Sequence, residues 1–274
     1  TNANANPRLR QAFAWIKPMD GLDIRVGQTW DIFSPLNPTT NNTNANLWYH
    51  GNYGFRRPQL QVRYAFATEV VKPSIQLLVG ESSKEAKEKE LPGNDNRSGL
   101  PMIQGRFGVK FLENMDIGMS GVFATYNRNQ SIKTAGFSLD MDLPIHKMIS
   151  LKGEFALGSN LNKANIFTIG GSRGDSRVDS STFDDDVITI GYWANAISKP
   201  LDFLHFVLGF GVEQVRSDLN TDDCVSNGTV YGDIIIPIGK YFSFAAEYQH
   251  IFTEYKNASD YNAGVIDLAA KFTF

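Results

Sequence analysis

Side-chain character alternates residue by residue along most of this chain, in segments of about ten residues divided by turns, a pattern that specifies extended strands with two unlike faces. In 264–274, Ile266, Leu268, Ala270, Phe272 and Phe274 share one face, while Val265, Asp267, Ala269, Lys271 and Thr273 share the other. In 202–213, Leu204, Phe206, Leu208, Phe210 and Val212 oppose His205, Gly209, Gly211 and Glu213. Further upstream, Leu22, Ile24, Val26, Trp30 and Ile32 oppose Asp23, Arg25, Gly27, Thr29 and Asp31. Helical periodicity is nearly absent, and the best stretch, 83–91, is charged all round, so it reads as loop.

The pattern predicts about thirteen strands, at 8–17, 22–33, 55–67, 74–82, 101–112, 116–126, 132–144, 149–159, 187–198, 202–215, 228–238, 241–256 and 262–274. A soluble sandwich also alternates. These segments, however, run to about ten to fifteen residues, whereas soluble strands average about five or six. A soluble barrel this wide would turn its apolar face inward and could not fill its interior with side chains. The expected fold is therefore all-β: one antiparallel transmembrane β-barrel spanning 1–274, apolar outside and polar inside. Its apolar content of 42% and the lack of an apolar run long enough for a membrane helix fit that reading. Net charge is −3 and no basic stripe occurs, so no nucleic-acid partner is expected. The single cysteine, Cys224, excludes an internal disulfide.

Predicted connections alternate between short (17–21, 67–73, 113–115, 145–148, 199–201, 239–240) and long (34–54, 83–100, 160–186, 216–227), with 127–131 and 257–261 as short members of the long series. In bacterial barrels short turns are periplasmic and long loops extracellular, and strand numbers are even. Thirteen strands starting at the outside lead to the expectation that one to three N-terminal strands are absent, with fourteen to sixteen in the complete barrel. Aromatics expected at the bilayer edges are Trp15, Trp30, Tyr64, Phe66, Phe111, Tyr192, Phe242, Tyr248 and Phe274.

Four short stretches carry a family resemblance. The ending Ala270-Lys271-Phe272-Thr273-Phe274 resembles the C-terminal signal that outer-membrane barrels show to their assembly machinery. Val26-Gly27-Gln28-Thr29-Trp30, Gly51-Asn52-Tyr53-Gly54-Phe55-Arg56-Arg57-Pro58-Gln59 and Glu247-Tyr248-Gln249 resemble the DcaP-like porins of the Gram-negative outer membrane. The resemblance implies sixteen strands, a homotrimer, and an assembly role for Phe272 and Phe274. It also implies that loop 34–54 folds inward as a constriction loop. Pro35 and Pro38 stiffen that loop. Asn37, Asn41 and Asn44 offer neutral hydrogen-bonding groups, and Leu47, Trp48 and Tyr49 are candidate wall anchors.

Inward charges sort along the chain. Bases come first: Arg10, Arg25, Arg63, Arg106 and Lys110, with Arg57 near the rim. Acids follow: Asp140, Asp142, Glu154, Glu213, Asp233, Glu247 and Asp267. Asp23, Asp31, Lys152 and Lys271 break the sorting. Separate basic and acidic arcs would set a transverse field across a wet pore and favour small anionic or zwitterionic solutes. The alternative is that these charges only hydrate the lumen and pair with each other. The expected function is passive diffusion of small hydrophilic solutes; the other reading is an adhesive barrel with a closed lumen and partner-binding loops. No Ser/His/carboxylate arrangement stands out around His50, His146, His205 or His250, so neither catalysis nor a cofactor is expected. Asp175, Asp179 and Asp184-Asp185-Asp186 read as a solvated acidic loop rather than a calcium site.

Overall fold

A computed structural model describes residues 9–41, 47–82, 100–112, 114–127, 131–164, 166, 168–169, 187–216 and 224–273. It contains β1 (Ala12–Met19), β2 (Leu22–Trp30), β3 (Arg56–Ala65), β4 (Lys72–Gly80), β5 (Met102–Phe111), β6 (Met115–Asn127), β7 (Ser131–His146), β8 (Ile149–Ser159), β9 (Ile188–Leu201), β10 (Leu204–Val215), β11 (Cys224–Ile238), β12 (Phe242–Tyr255) and β13 (Tyr261–Phe272). All thirteen belong to one antiparallel sheet in chain order. β1 ends where Asp20 and Gly21 make a tight turn, and Gly21 takes the positive φ of 78° that such a reversal needs. β11 begins at Cys224, four residues before the predicted 228, and carries this strand closer to the rim.

Register shows how the alternation is used. Between β2 and β3, Ile24 opposes Val62 and Val26 opposes Leu60 on the outer face. Arg25 opposes Gln61 and Thr29 opposes Arg57 on the inner face. Outer residues are far more open than a water-soluble protein tolerates over a contiguous surface: Leu268 is 81% exposed, Ile266 72% and Leu208 66%. Inner residues such as Gln104, Ser138, Glu213 and Glu247 are buried. This is the inside-out order of a barrel whose apolar side meets hydrocarbon. Among the described residues no ladder joins β1 to β13, so both are edges, and in a bilayer their backbone groups require partners.

Two connections at the long-loop end turn inward. Residues 31–41 and 47–55 turn in against the inner wall, and a short 3-10 turn, Leu161–Ala164, follows β8. They meet wall residues in an apolar cluster of Phe33, Tyr53, Met102, Val122, Ala124, Ala156, Leu161, Ala164 and Ile166. The interior is thus not wholly polar, as the alternation implied. Beside the inward loops the wall supplies small or apolar residues at inner positions, because those positions never meet water.

Candidate functional site: the constricted lumen

The inward course of loop 31–55 is set by wall acceptors placed where its backbone N–H groups arrive. Gln104 Oε1 accepts from Ile32 N and Phe33 N, each at 2.9 Å. Glu154 accepts from Ser34 Oγ at 2.6 Å, Leu36 N at 2.7 Å and Trp193 Nε1 at 3.0 Å. Thr39 N donates to Asn195 Oδ1 at 3.1 Å. Asn41 donates from its backbone N to Glu247 at 2.6 Å and from Nδ2 to Asp233 at 3.3 Å. Hydrogen bonds to charged groups are each worth about 1.5–3 kcal/mol, so the acids clamp the loop across the pore.

The far end is pinned by packing. Leu47 is buried with Trp193, Val207 and Tyr231. Trp48 Nε1 donates to Gly54 O at 3.0 Å, closing the loop on itself. Asn227 Nδ2 donates to Tyr49 O at 2.9 Å and lies 3.1 Å from His50 Nε2. His50 Nδ1 sits 3.0 Å from Trp48 O. These partners suit the neutral ring, with Nδ1 donating and Nε2 accepting, and burial lowers the His50 pKa in the same direction. Gly191 admits the Tyr53 ring, since a Cβ there would lie 2.5 Å from Tyr53 Oη. Ser34, Leu47 and Tyr49 hold positive φ values of 52°, 57° and 66°, a backbone state that non-glycine residues keep only where surroundings impose it.

Asn41, Trp48 and Tyr49 therefore lie in loop segments that turn inward against the wall; Asn37 lies in the same loop, and Asn44 falls outside the described residues. Phe272 ends β13, whereas Phe274 and the 170–186 acidic stretch lie outside the described residues. Cys224 is a free thiol.

The bases divide into bound and open groups. Arg57 corrects the expectation that it faces solute. Its Nε and Nη2 hold both oxygens of Asp31 at 2.7 Å, and Nη1 donates to Glu81 O and Ala164 O at 2.9 Å. Both partners of that pair are buried. Arg106 is tied to Asp140 at 2.5 Å and Asp116 at 2.9 Å. Lys110 lies 3.7 Å from Asp116, and Lys152 lies 3.3 Å from Asp142. Arg63 meets Asp23 at 3.3 Å and stays partly open. Arg25 is half-buried on the inner face and, among the described residues, has no carboxylate partner. Arg10 precedes β1 in exposed coil.

On the acidic side, Asp233, Glu247 and Asp267 lie abreast on β11, β12 and β13. Glu213 accepts from Ile169 N at 2.9 Å, so it holds the second inward loop. Sequence reasoning missed this second loop and the anchoring role of the acids. It also placed Trp15 in an outer girdle, but Trp15 opposes Arg25 and faces the lumen.

A wide antiparallel meander with a greasy exterior, a mostly polar inner wall and loop segments turned inward is the architecture of a transmembrane β-barrel. No family model and no curated protein sequence matches the chain. Among solved structures, the outer membrane channel DcaP of Acinetobacter baumannii superposes with a TM-score of 0.75 at 15% identity, covering 100% of this chain and 77% of that one. An anion-selective porin from Comamonas acidovorans gives 0.55 at 11% identity, covering 93% and 75%. The DcaP-like resemblance in the sequence is thus borne out at the level of the fold.

Proposed function

We propose that the chain forms an outer-membrane diffusion channel for small hydrophilic solutes, with a preference for anions. One asymmetry carries the reading: the buried acids Glu154, Glu213, Asp233 and Glu247 are engaged by inward loops, while Arg25 has no carboxylate partner among the described residues and Arg63, paired with Asp23, stays partly exposed. Loop amides cover these carboxylates and keep solute away from them, so the charge that solute can reach along β1–β3 is basic, and Arg25 offers a forked donor to carboxylate or phosphate. The Comamonas neighbour is itself described as anion-selective. Assembly as a homotrimer, insertion by the barrel assembly machinery through the C-terminal aromatics, and a non-enzymatic role complete the proposal.

The apolar cluster inside the barrel favours a second reading, a closed barrel whose surface loops bind a partner. Refolded protein in planar bilayers separates the two. Stepwise conductance in potassium chloride is expected for the channel; insertion without steps is expected for the closed barrel. Chemical cross-linking in detergent tests the trimer.

A further inference from the structure

β1 presents two rings to the lumen rather than to lipid. Phe13 opposes Gly27 and Trp15 opposes Arg25 in the β1–β2 ladder, and those β2 residues pair with Gln59 and Gln61, which are buried on the inner wall. Trp15 is 51% exposed and Phe13 38%. Among the described residues neither ring belongs to an apolar cluster. The Arg25 guanidinium lies 4.8 Å from the Trp15 ring centroid and 5.7 Å from that of Phe13, and Lys17 Nζ lies 4.3 Å from Trp15. Trp15 Nε1 donates to Asp23 Oδ1 at 3.0 Å, which fixes the plane of the indole. Asp23 is also engaged by Arg63, so it does not neutralise Arg25.

We propose that Phe13, Trp15 and Arg25 form a solute subsite for organic anions bearing an aromatic ring, of which an aryl carboxylate is the simplest. This rests on the channel reading and names the solute class that it takes. Two kinds of contact converge. The guanidinium fork matches a carboxylate, and its stacking against the rings restricts the side chain before solute arrives, which lowers the entropic cost of binding. The exposed ring surfaces then bury apolar area against a flat solute and add edge or offset-stacked contact. An inorganic or short alkyl anion gains only the first contact. The preference is therefore for ring-bearing anions over anions of equal charge without a ring. Arg106 and Arg57 cannot serve in the same way, because carboxylates already occupy their forks.

The test uses protein folded in detergent, with 4-(trifluoromethyl)benzoate and acetate as probes, binding read by fluorine relaxation and by competition. Benzoate is expected to bind at least about tenfold more tightly than acetate, the gain of one ring contact. Trp15→Ala is expected to remove most of that difference and Trp15→Phe to restore much of it, each variant first shown to fold by its heat-dependent electrophoretic shift. Equal affinities for the two probes, or benzoate binding untouched in Trp15→Ala, overturn the subsite. Ring-selective binding by protein that conducts no ions supports the subsite and fells the channel reading. Conductance without ring preference fells the subsite alone.

Discussion

The arcs β7–β12 and β1–β3 are built from the same two-residue pattern, yet their inner faces behave in opposite ways. Along β8, β11 and β12, carboxylates meet loop amides: Glu154 takes Leu36 N, and Glu247 takes Asn41 N. Along β2, Arg25 meets the Phe13 and Trp15 rings and no carboxylate among the described residues. The difference teaches that the role of an inward charge is decided by what reaches it across the lumen. An inward loop brings N–H donors, so it is met by carboxylate and amide oxygens on the wall and has no use for a base such as Arg25.

The comparison breaks most visibly at the one base that a loop does reach. Arg57→Ala leaves Asp31 buried without its partner, a loss of about 3–5 kcal/mol. The temperature at which the folded electrophoretic band disappears is expected to fall markedly; an unchanged temperature would show the pair to be dispensable. Glu154→Ala orphans the donors of Ser34, Leu36 and Trp193 and is expected to weaken the loop clamp by about 3 kcal/mol. Single-channel records should then show larger and noisier conductance, and a quiet channel of unaltered size would contradict the clamp. Gly191→Ala drives a methyl into Tyr53 and is expected to cost about 1–3 kcal/mol through overpacking. Its signature is faster protease cleavage within loop 31–55, compared with wild type.

A smaller effect concerns pH. Burial lowers the pKa of His50, and its Nε2 faces the Asn227 amide. Its contribution to holding the loop is complete above the ordinary histidine range and is lost as pH falls from there through the lowered value. Reversible growth of current noise on acidification is expected, and it should vanish in His50→Gln. Noise that persists in that variant would place the sensor elsewhere.

The strands were legible because each inner–outer alternation from Leu22 onward is forced by the two solvents that the wall separates. β8, predicted at 149–159, spans Ile149–Ser159, since the turn before it is short and its faces are unlike. The loop after β2 carried only a hint in Pro35 and Pro38, because its inward course is set by acceptors such as Gln104 and Glu154 on strands far along the chain. β1 was harder: Phe13 and Trp15 share a face with Lys17, while Ala12, Ala14 and Ile16 make up the other, so a single polar side chain is all that marks the lumen side. Only pairing with Arg25 settles which way Trp15 points. The Arg57–Asp31 pair had a signal, since both are inner-face residues at the same end of neighbouring strands, and Asp31 was an exception to the charge sorting. The turn at Leu161–Ala164 had none, because a local stretch of Leu-Asn-Lys-Ala does not say into which space it folds.

The reversal potential across a planar bilayer holding a potassium chloride gradient tests most directly whether loop-bound acids leave a positive lumen. A potential on the chloride side, moving toward zero in Arg25→Gln, is the predicted result. A potassium-selective wild-type channel would contradict it.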